Sequence, residues 1–143
     1  MTLGIQIFMG TVFLGLCLGF HIIVMSYCIS LIRSRVSPEQ EQKSVFKVPA
    51  TLTVAVIIIA FSHTAQVWLW ASVWIWYHLL PDWNEAVYFS MVTYTSLGYG
   101  DIVLAPPARV FASFATVTGV LAFGMSTALM VALMARMFGF RED

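Results

Sequence analysis

Charged residues divide the chain into long apolar stretches. None of Asp, Glu, Lys or Arg occurs from Met1 to Ile32, from Val48 to Pro81, from Ala86 to Gly100, or from Val110 to Ala135. A bilayer core about 30 Å thick takes about 20 helical residues to cross. The first, second and fourth stretches are long enough, and the third is too short. The pattern predicts an all-α membrane protein. Three transmembrane helices run near Leu3–Leu31, Ala50–Leu79 and Ala108–Phe138, with a re-entrant helix over Asn84–Ser96 and a glycine-containing loop after it.

Composition agrees with that reading. The chain is 60% hydrophobic and 10% charged, with mean hydropathy +0.88, against about 45–50% and about 25% in ordinary soluble domains. The formal net charge is zero, which gives no basic stripe for nucleic acid and no acidic tail. The N-terminal apolar run lacks a preceding basic residue and a small-residue cleavage site, so it is expected to be retained as a span. Cys17 and Cys28 would lie about 16 Å apart on one straight helix, too far to bridge. They read as small buried apolar residues.

The domain division expected is an extra N-terminal helix (1–32), a cytoplasmic loop (33–49) and a pore-like unit (50–143). Basic residues set the orientation. Arg33, Arg35, Lys43, Lys47, Arg136 and Arg141 fall on one side of the map and Arg109 on the other. By the positive-inside rule the loop and the C-terminus are cytoplasmic and the N-terminus lies outside, in a plasma or inner membrane. All five tryptophans, Trp68, Trp70, Trp74, Trp76 and Trp83, gather at the outer end of the second helix. Most are expected to anchor at the interface, and some to brace the insert.

The insert opens with Pro81 and Asp82, which break the preceding helix. Asp82 or Asn84 can cap the next one, and Asp82 with Glu85 has the spacing of a capping box. After Ser96 the chain must return through "LGYGD" at membrane depth. Irregular backbone there is tolerated only when buried in protein or lining an aqueous cavity. Gly98 and Gly100 permit positive φ, so successive carbonyls can turn to one side. Such a strip can replace the hydration shell of a cation.

"TYTSLGYGD" (93–101) resembles the selectivity-filter signature of potassium channels, and "AVYFSMVT" (86–93) is similar to their pore helices. The resemblance covers Ala50 to Phe138. It implies that the carbonyls of Ser96, Leu97, Gly98 and Tyr99 hold potassium ions, with the Ser96 hydroxyl as the innermost ligand and Gly100 shaping the outer mouth. It implies that Thr95 and Asp101 support the filter and that Tyr99 packs against pore-helix aromatics. One filter segment per chain implies a homotetramer with cyclic symmetry. Potassium is then the permeant ion, and no cofactor is implied. Ser96 stands where the family usually has threonine, and Leu97 where it has valine or isoleucine. Val92 occupies a position that is glutamate in some members.

Beyond the filter, Val120, Phe123, Thr127 and Val131 share one helical face and are expected to line the cavity, with either Phe123 or the methionines nearer the cytoplasm forming a constriction that closes by dewetting. Gly119 and Gly124 serve either close helix packing or a bend at the gate. No span carries the periodic basic residues of a voltage sensor. The segment after Phe138 holds no ligand-binding domain. His21, His63 and Gln66 sit at membrane depth, and His63 and Gln66, a turn apart, are expected to hydrogen-bond between helices. The sharper alternative makes His21 and His63 pH-sensitive. Two histidines without a thiolate or carboxylate make a poor metal set, and no acid–base pair suggests an enzyme. Three readings follow: a potassium channel, a weakly selective cation channel, and a non-conducting membrane interaction subunit.

Overall fold

The computed structural model describes residues 2–35 and 47–138. It contains four helices: α1 (Leu3–Arg35), α2 (Lys47–Trp76), α3 (Trp83–Tyr94) and α4 (Pro106–Phe138). Three of them, α1, α2 and α4, are long and apolar enough to cross a membrane. The 12-residue α3 is not. The architecture is all-helical, as the charge spacing predicts.

The boundaries differ at several ends. α1 continues four residues past Leu31, and α2 starts at Lys47 rather than Ala50. Both helices run into the expected loop at 33–49, of which 36–46 lies outside the described residues, as does 139–143. α2 ends at Trp76 instead of Leu79. His78 adopts positive φ (51°). Its amide donates to the Ile75 carbonyl at 3.0 Å, and that of Leu79 donates to Trp74 at 2.9 Å. This paired closure with a left-handed residue satisfies carbonyls that the helix end leaves open. α4 begins two residues before Ala108, at Pro106 and Pro107. Proline suits a first turn because its missing N–H has no intrahelical partner there.

α1 and α4 run parallel and in register. Gln6 Oε1 accepts from the amides of Val110 (3.1 Å) and Phe111 (3.3 Å), 104 and 105 residues on. Gly10 lies against the Phe114 ring, so close that a β-carbon could not be placed without moving the ring. Deeper in the bundle, His21 meets Ser126, again 105 residues on. The buried positions of α1, namely Gln6, Gly10, Cys17, His21, Cys28 and Ile32, recur at alternating intervals of four and seven residues. That is the spacing of one helical face. α1 is thus keyed along the length of α4.

The core has two parts. One gathers Trp70, Trp74, Phe89, Tyr94 and Phe111 around Cys17. The other packs Cys28 and Ile32 of α1 on Ala55, Leu129 and Leu133. Both cysteines are free and buried. Trp70 and Trp74 are fully buried and stack at 5.2 Å, so these two are core residues and not interfacial anchors. Trp68, Trp76 and Trp83 are exposed and free to sit at an interface.

Candidate functional site

The site is built around α3 and the loop that follows it. Asp82 is the cap of α3. Its extended backbone (φ −147°, ψ 172°) lets its carboxylate accept from the amides of Asn84 (2.8 Å) and Glu85 (3.0 Å). Asn84, the other capping candidate, lies inside the helix. α2 then fixes the helix sideways, with the buried Trp74 indole N–H donating to Ser90 Oγ at 2.8 Å. Trp74 is therefore the tryptophan that braces the insert.

The end of α3 is closed in the same way as α2. Thr95 is the last right-handed residue, and Ser96 turns to φ 62°. The Ser96 amide donates to Thr93 at 3.0 Å, and the Leu97 and Gly98 amides both donate to Val92, at 2.9 and 3.2 Å. From α4, Thr116 Oγ1 donates to the Thr93 carbonyl at 2.9 Å. The Thr95 hydroxyl bonds back to Met91 at 2.7 Å. The last turn of α3 is thus tied from two helices.

From there φ is positive at every second residue: Ser96, Gly98 (56°) and Gly100 (77°). Alternating hand along a chain brings carbonyls that would alternate in a strand toward a common side. Among the described residues, no protein donor reaches the carbonyls of residues 96–100. Positive φ at Ser96 goes beyond the sequence reading, which placed it only at the glycines. It also bears on the residue type, because a β-branched threonine is a true outlier in that region. The run from Thr95 to Asp101 is exposed in the single chain. Tyr99 is 67% exposed in the single chain. Behind the loop, Phe89, Val92, Thr93, Gly98, Ile102 and Thr116 line an open cleft of about 220 Å³.

Asp101 is held from behind. The Tyr88 hydroxyl donates to its Oδ2 at 2.5 Å and the Ile102 amide to its Oδ1 at 3.0 Å. The Tyr88 bond holds the Asp101 carboxyl below its ordinary 3.8, and the same bond raises the Tyr88 phenol above its ordinary 10.0. Sequence reading supplied Asp101 but missed Tyr88. The available signal was a hydroxyl-bearing aromatic near the start of the insert, on the face turned to the returning loop. Arg109, the lone basic residue at this end, donates to the Leu104 carbonyl at 2.9 Å.

On α4, Val120, Phe123, Thr127 and Val131 all face out of the single chain. The opposite stripe, Ala108, Phe111, Ala115, Ala122, Leu129 and Leu133, is buried. Phe123 is shared between the two environments. Its ring also contacts His63 at 4.6 Å and Tyr94 at 5.6 Å. The two glycines separate. Gly119 abuts the Tyr94 backbone with no space for a β-carbon, whereas Gly124 has open space.

Below α3 lies a polar chain that is buried except at His63, which is half-buried. His21 Nδ1 is 2.8 Å from Ser62 Oγ and 3.2 Å from Gln66 Nε2. His21 Nε2 is 3.1 Å from Ser126 Oγ, which is 3.0 Å from His63 Nε2. His63 Nδ1 is 2.9 Å from the Tyr94 hydroxyl. The expected bonding between helices is present, and it joins all four helices. Ser126 and Tyr94 were not singled out as site residues from the sequence.

Three membrane-crossing helices around a short helix, whose end delivers a loop with unpartnered carbonyls, define a multi-pass membrane protein of the pore-domain type. The ion channel family model matches residues 52–136, more than half of the chain. The chain belongs to the ion channel family, which is not a family of enzymes. The match takes in α3, its loop, α4 and nearly all of α2, and leaves α1 outside. Comparison with curated proteins and with solved structures gave no match.

Proposed function

We propose that the chain is one subunit of a homotetrameric potassium channel. The observation that carries this reading is the run of carbonyls at 96–100, which lacks protein donors and follows a backbone with positive φ at every second residue. Carbonyl oxygens at membrane depth need partners, and a dehydrated cation supplies one. The carbonyls of Ser96, Leu97, Gly98 and Tyr99 are the potassium ligands, with the Ser96 hydroxyl below them. Thr95 and Asp101 support the strip, and Gly100 opens it to the outside. The α3 C-terminus adds partial negative charge toward the membrane centre.

The tetramer reading is supported by what one chain leaves uncovered. The loop is exposed on all sides, and so is the α4 face bearing Val120, Phe123, Thr127 and Val131. Four copies around an axis turn both inward, and give Tyr99 a neighbour's cleft to fill. Gly124, with free space around it, is the bend candidate, and Gly119 is a packing residue. The domain division at 50 and the orientation with 36–46 inside belong to the same proposal.

Purified protein in planar bilayers with opposed potassium and sodium gradients tests this. A reversal potential near the potassium value is the expected result. A reversal potential near zero would select the weakly selective cation channel, a reading that Ser96 and Leu97 keep open. No current would leave the non-conducting subunit. Native mass spectrometry should give four copies, and any other stoichiometry removes the fourfold pore.

A further inference from the structure

The polar chain His21–Ser126–His63–Tyr94 has a feature that follows from counting protons. Ser126 Oγ lies between two ring nitrogens, His21 Nε2 at 3.1 Å and His63 Nε2 at 3.0 Å. A serine carries one hydroxyl proton. When it donates to one ring, the other ring carries its own proton on Nε2 and donates to the serine, with the Ala122 backbone also bonded to His21. The two neutral histidines are therefore opposite tautomers. In one register His21 holds its proton on Nε2, and His63 holds it on Nδ1 and donates to the Tyr94 hydroxyl. In the other, His63 holds it on Nε2 and accepts from Tyr94, while His21 donates from Nδ1.

The α1 end accommodates both registers. Ser62 Oγ, 2.8 Å from His21 Nδ1, can give or take. The Gln66 amide lies beside the same nitrogen with Nε2 at 3.2 Å, and its Oε1 is buried without a partner. The same Nε2 also donates to the Ser62 carbonyl at 3.3 Å, so the amide favours the register with His21 Nδ1 unprotonated, and the other register gives up that bond to set the orphaned oxygen against His21 Nδ1–H. One extra proton can also be held with every bond satisfied. A second is opposed by charge, because two imidazolium rings would then sit at a centroid separation of 5.1 Å. Such coupled groups titrate as a pair.

We infer that these four residues form a single-proton site through which α1 positions the end of the pore helix, and that the proton on it opposes cation conduction. The inference rests on the channel reading above. The chain ends on Tyr94, the last residue of α3, whose backbone bears on Gly119 and is followed directly by the Ser96 turn. A proton here puts positive charge beside the negative end of the α3 dipole, which otherwise favours a cation. The ionisable groups facing the pair are few. α1 presents Cys17, one turn from His21, and α3 presents Tyr94. α2 contributes only His63 itself, and neither α2 nor α4 turns an Asp, Glu, Lys or Arg toward it within the spans. His63, Ser126 and His21 are positioning residues, acting on the ion path through Tyr94.

Nitrogen-15 NMR of histidine-labelled protein in bilayers tests the site directly, with His78→Gln identifying the third histidine. The expected spectrum at pH 8 has one of the two rings protonated on Nε2 and the other on Nδ1, and acidification produces one imidazolium from the pair. Two like tautomers, or two imidazolium signals, would overturn the inference. In bilayers with both chambers taken from pH 8 to 5, current should fall roughly threefold or more along a one-proton curve. Ser126→Ala should lose that curve and Ser126→Thr, which keeps the hydroxyl, should restore it. A current indifferent to pH while the NMR shows protonation also overturns it. Absence of current at every pH sinks the channel reading instead, and the tautomers then decide the proton site alone. Should Ser126→Ala fail to assemble, the wild-type spectra and Ser126→Thr carry the test.

Discussion

Gly119 of α4 rests directly on the carbonyl of Tyr94, the last residue of α3, with no room for a β-carbon between them. The contact is between two backbones, so neither side can yield by changing a rotamer. Gly119→Ala should cost about 1–3 kcal/mol through overpacking and loosen the end of α3. Thermal unfolding of the assembled protein in detergent should show a lower midpoint. An unchanged midpoint would mean that the two helices do not meet there.

Gly124 should respond in the opposite direction. Nothing lies within reach of a β-carbon, and alanine favours a helix interior by about 0.8–1 kcal/mol over glycine. Gly124→Ala should leave the melting midpoint equal or higher. If Gly124 is the bend, the same variant lowers open probability in single-channel records. Stability and gating should therefore part company at this residue and not at Gly119.

Tyr88→Phe removes the hydroxyl that restrains Asp101. The linkage sign is set by the depressed carboxyl. The contact contributes above the ordinary carboxylate value of 3.8 and is lost as pH falls through the lower folded value. On the alkaline side the Tyr88 phenol, raised above 10.0, keeps its proton past that pH. The contact should thus be constant from pH 5 to 8, leaving any pH response in that window to the paired histidines. Tyr88→Phe should shorten openings about equally at pH 5 and 8, read from dwell times. A difference between the two pH values would count against this assignment.

Ser90→Ala strands the buried Trp74 indole N–H, which has Ser90 Oγ as its partner. Leaving a buried donor unsatisfied costs about 1–3 kcal/mol. The proposed tetramer should then dissociate at a lower temperature, followed on native gels. Ser90→Thr, which keeps the hydroxyl, should be milder.

At Ser96 the left-handed backbone sets an order of tolerance. Ser96→Gly should fold at least as well, because glycine reaches positive φ without steric cost. Ser96→Thr should destabilise by roughly 1 kcal/mol or more, since a β-branched residue is an outlier there. Melting midpoints of the pair give the comparison, and a threonine variant more stable than glycine would argue against positive φ at this position.

Much of this architecture is legible in the sequence because charge is so scarce. Asp82, Glu85, Asp101 and Arg109 are the only charged residues between Lys47 and Arg136, so the spans and the short insert follow from distances between charges. The Asp82 cap is legible from its own chemistry. What escapes is set by tertiary contact. Gln6 looks like a stray polar residue in an apolar run until the first turns of α4 stand beside it. Trp70 and Trp74 look like belt residues because composition cannot tell an outward face from an inward one. The left-handed turns at His78 and Ser96 sit on residues that do not announce them as glycine does, although histidine is enriched there. Ser126 becomes chemically meaningful only when two rings from other helices converge on it.

The fixed register of α1 on α4 has a mechanical consequence. Gln6, Gly10 and His21 are each locked to a particular point on α4, so α4 cannot tilt alone. Any swing of α4 moves α1 with it, and α1 exposes Phe8, Leu16, Ile23 and Tyr27 to whatever surrounds the helices. The work of opening then includes reshaping the surrounding lipid, at a cost that grows with each ångström of mismatch. Bilayer thickness becomes a variable of the same equilibrium that sets the pore.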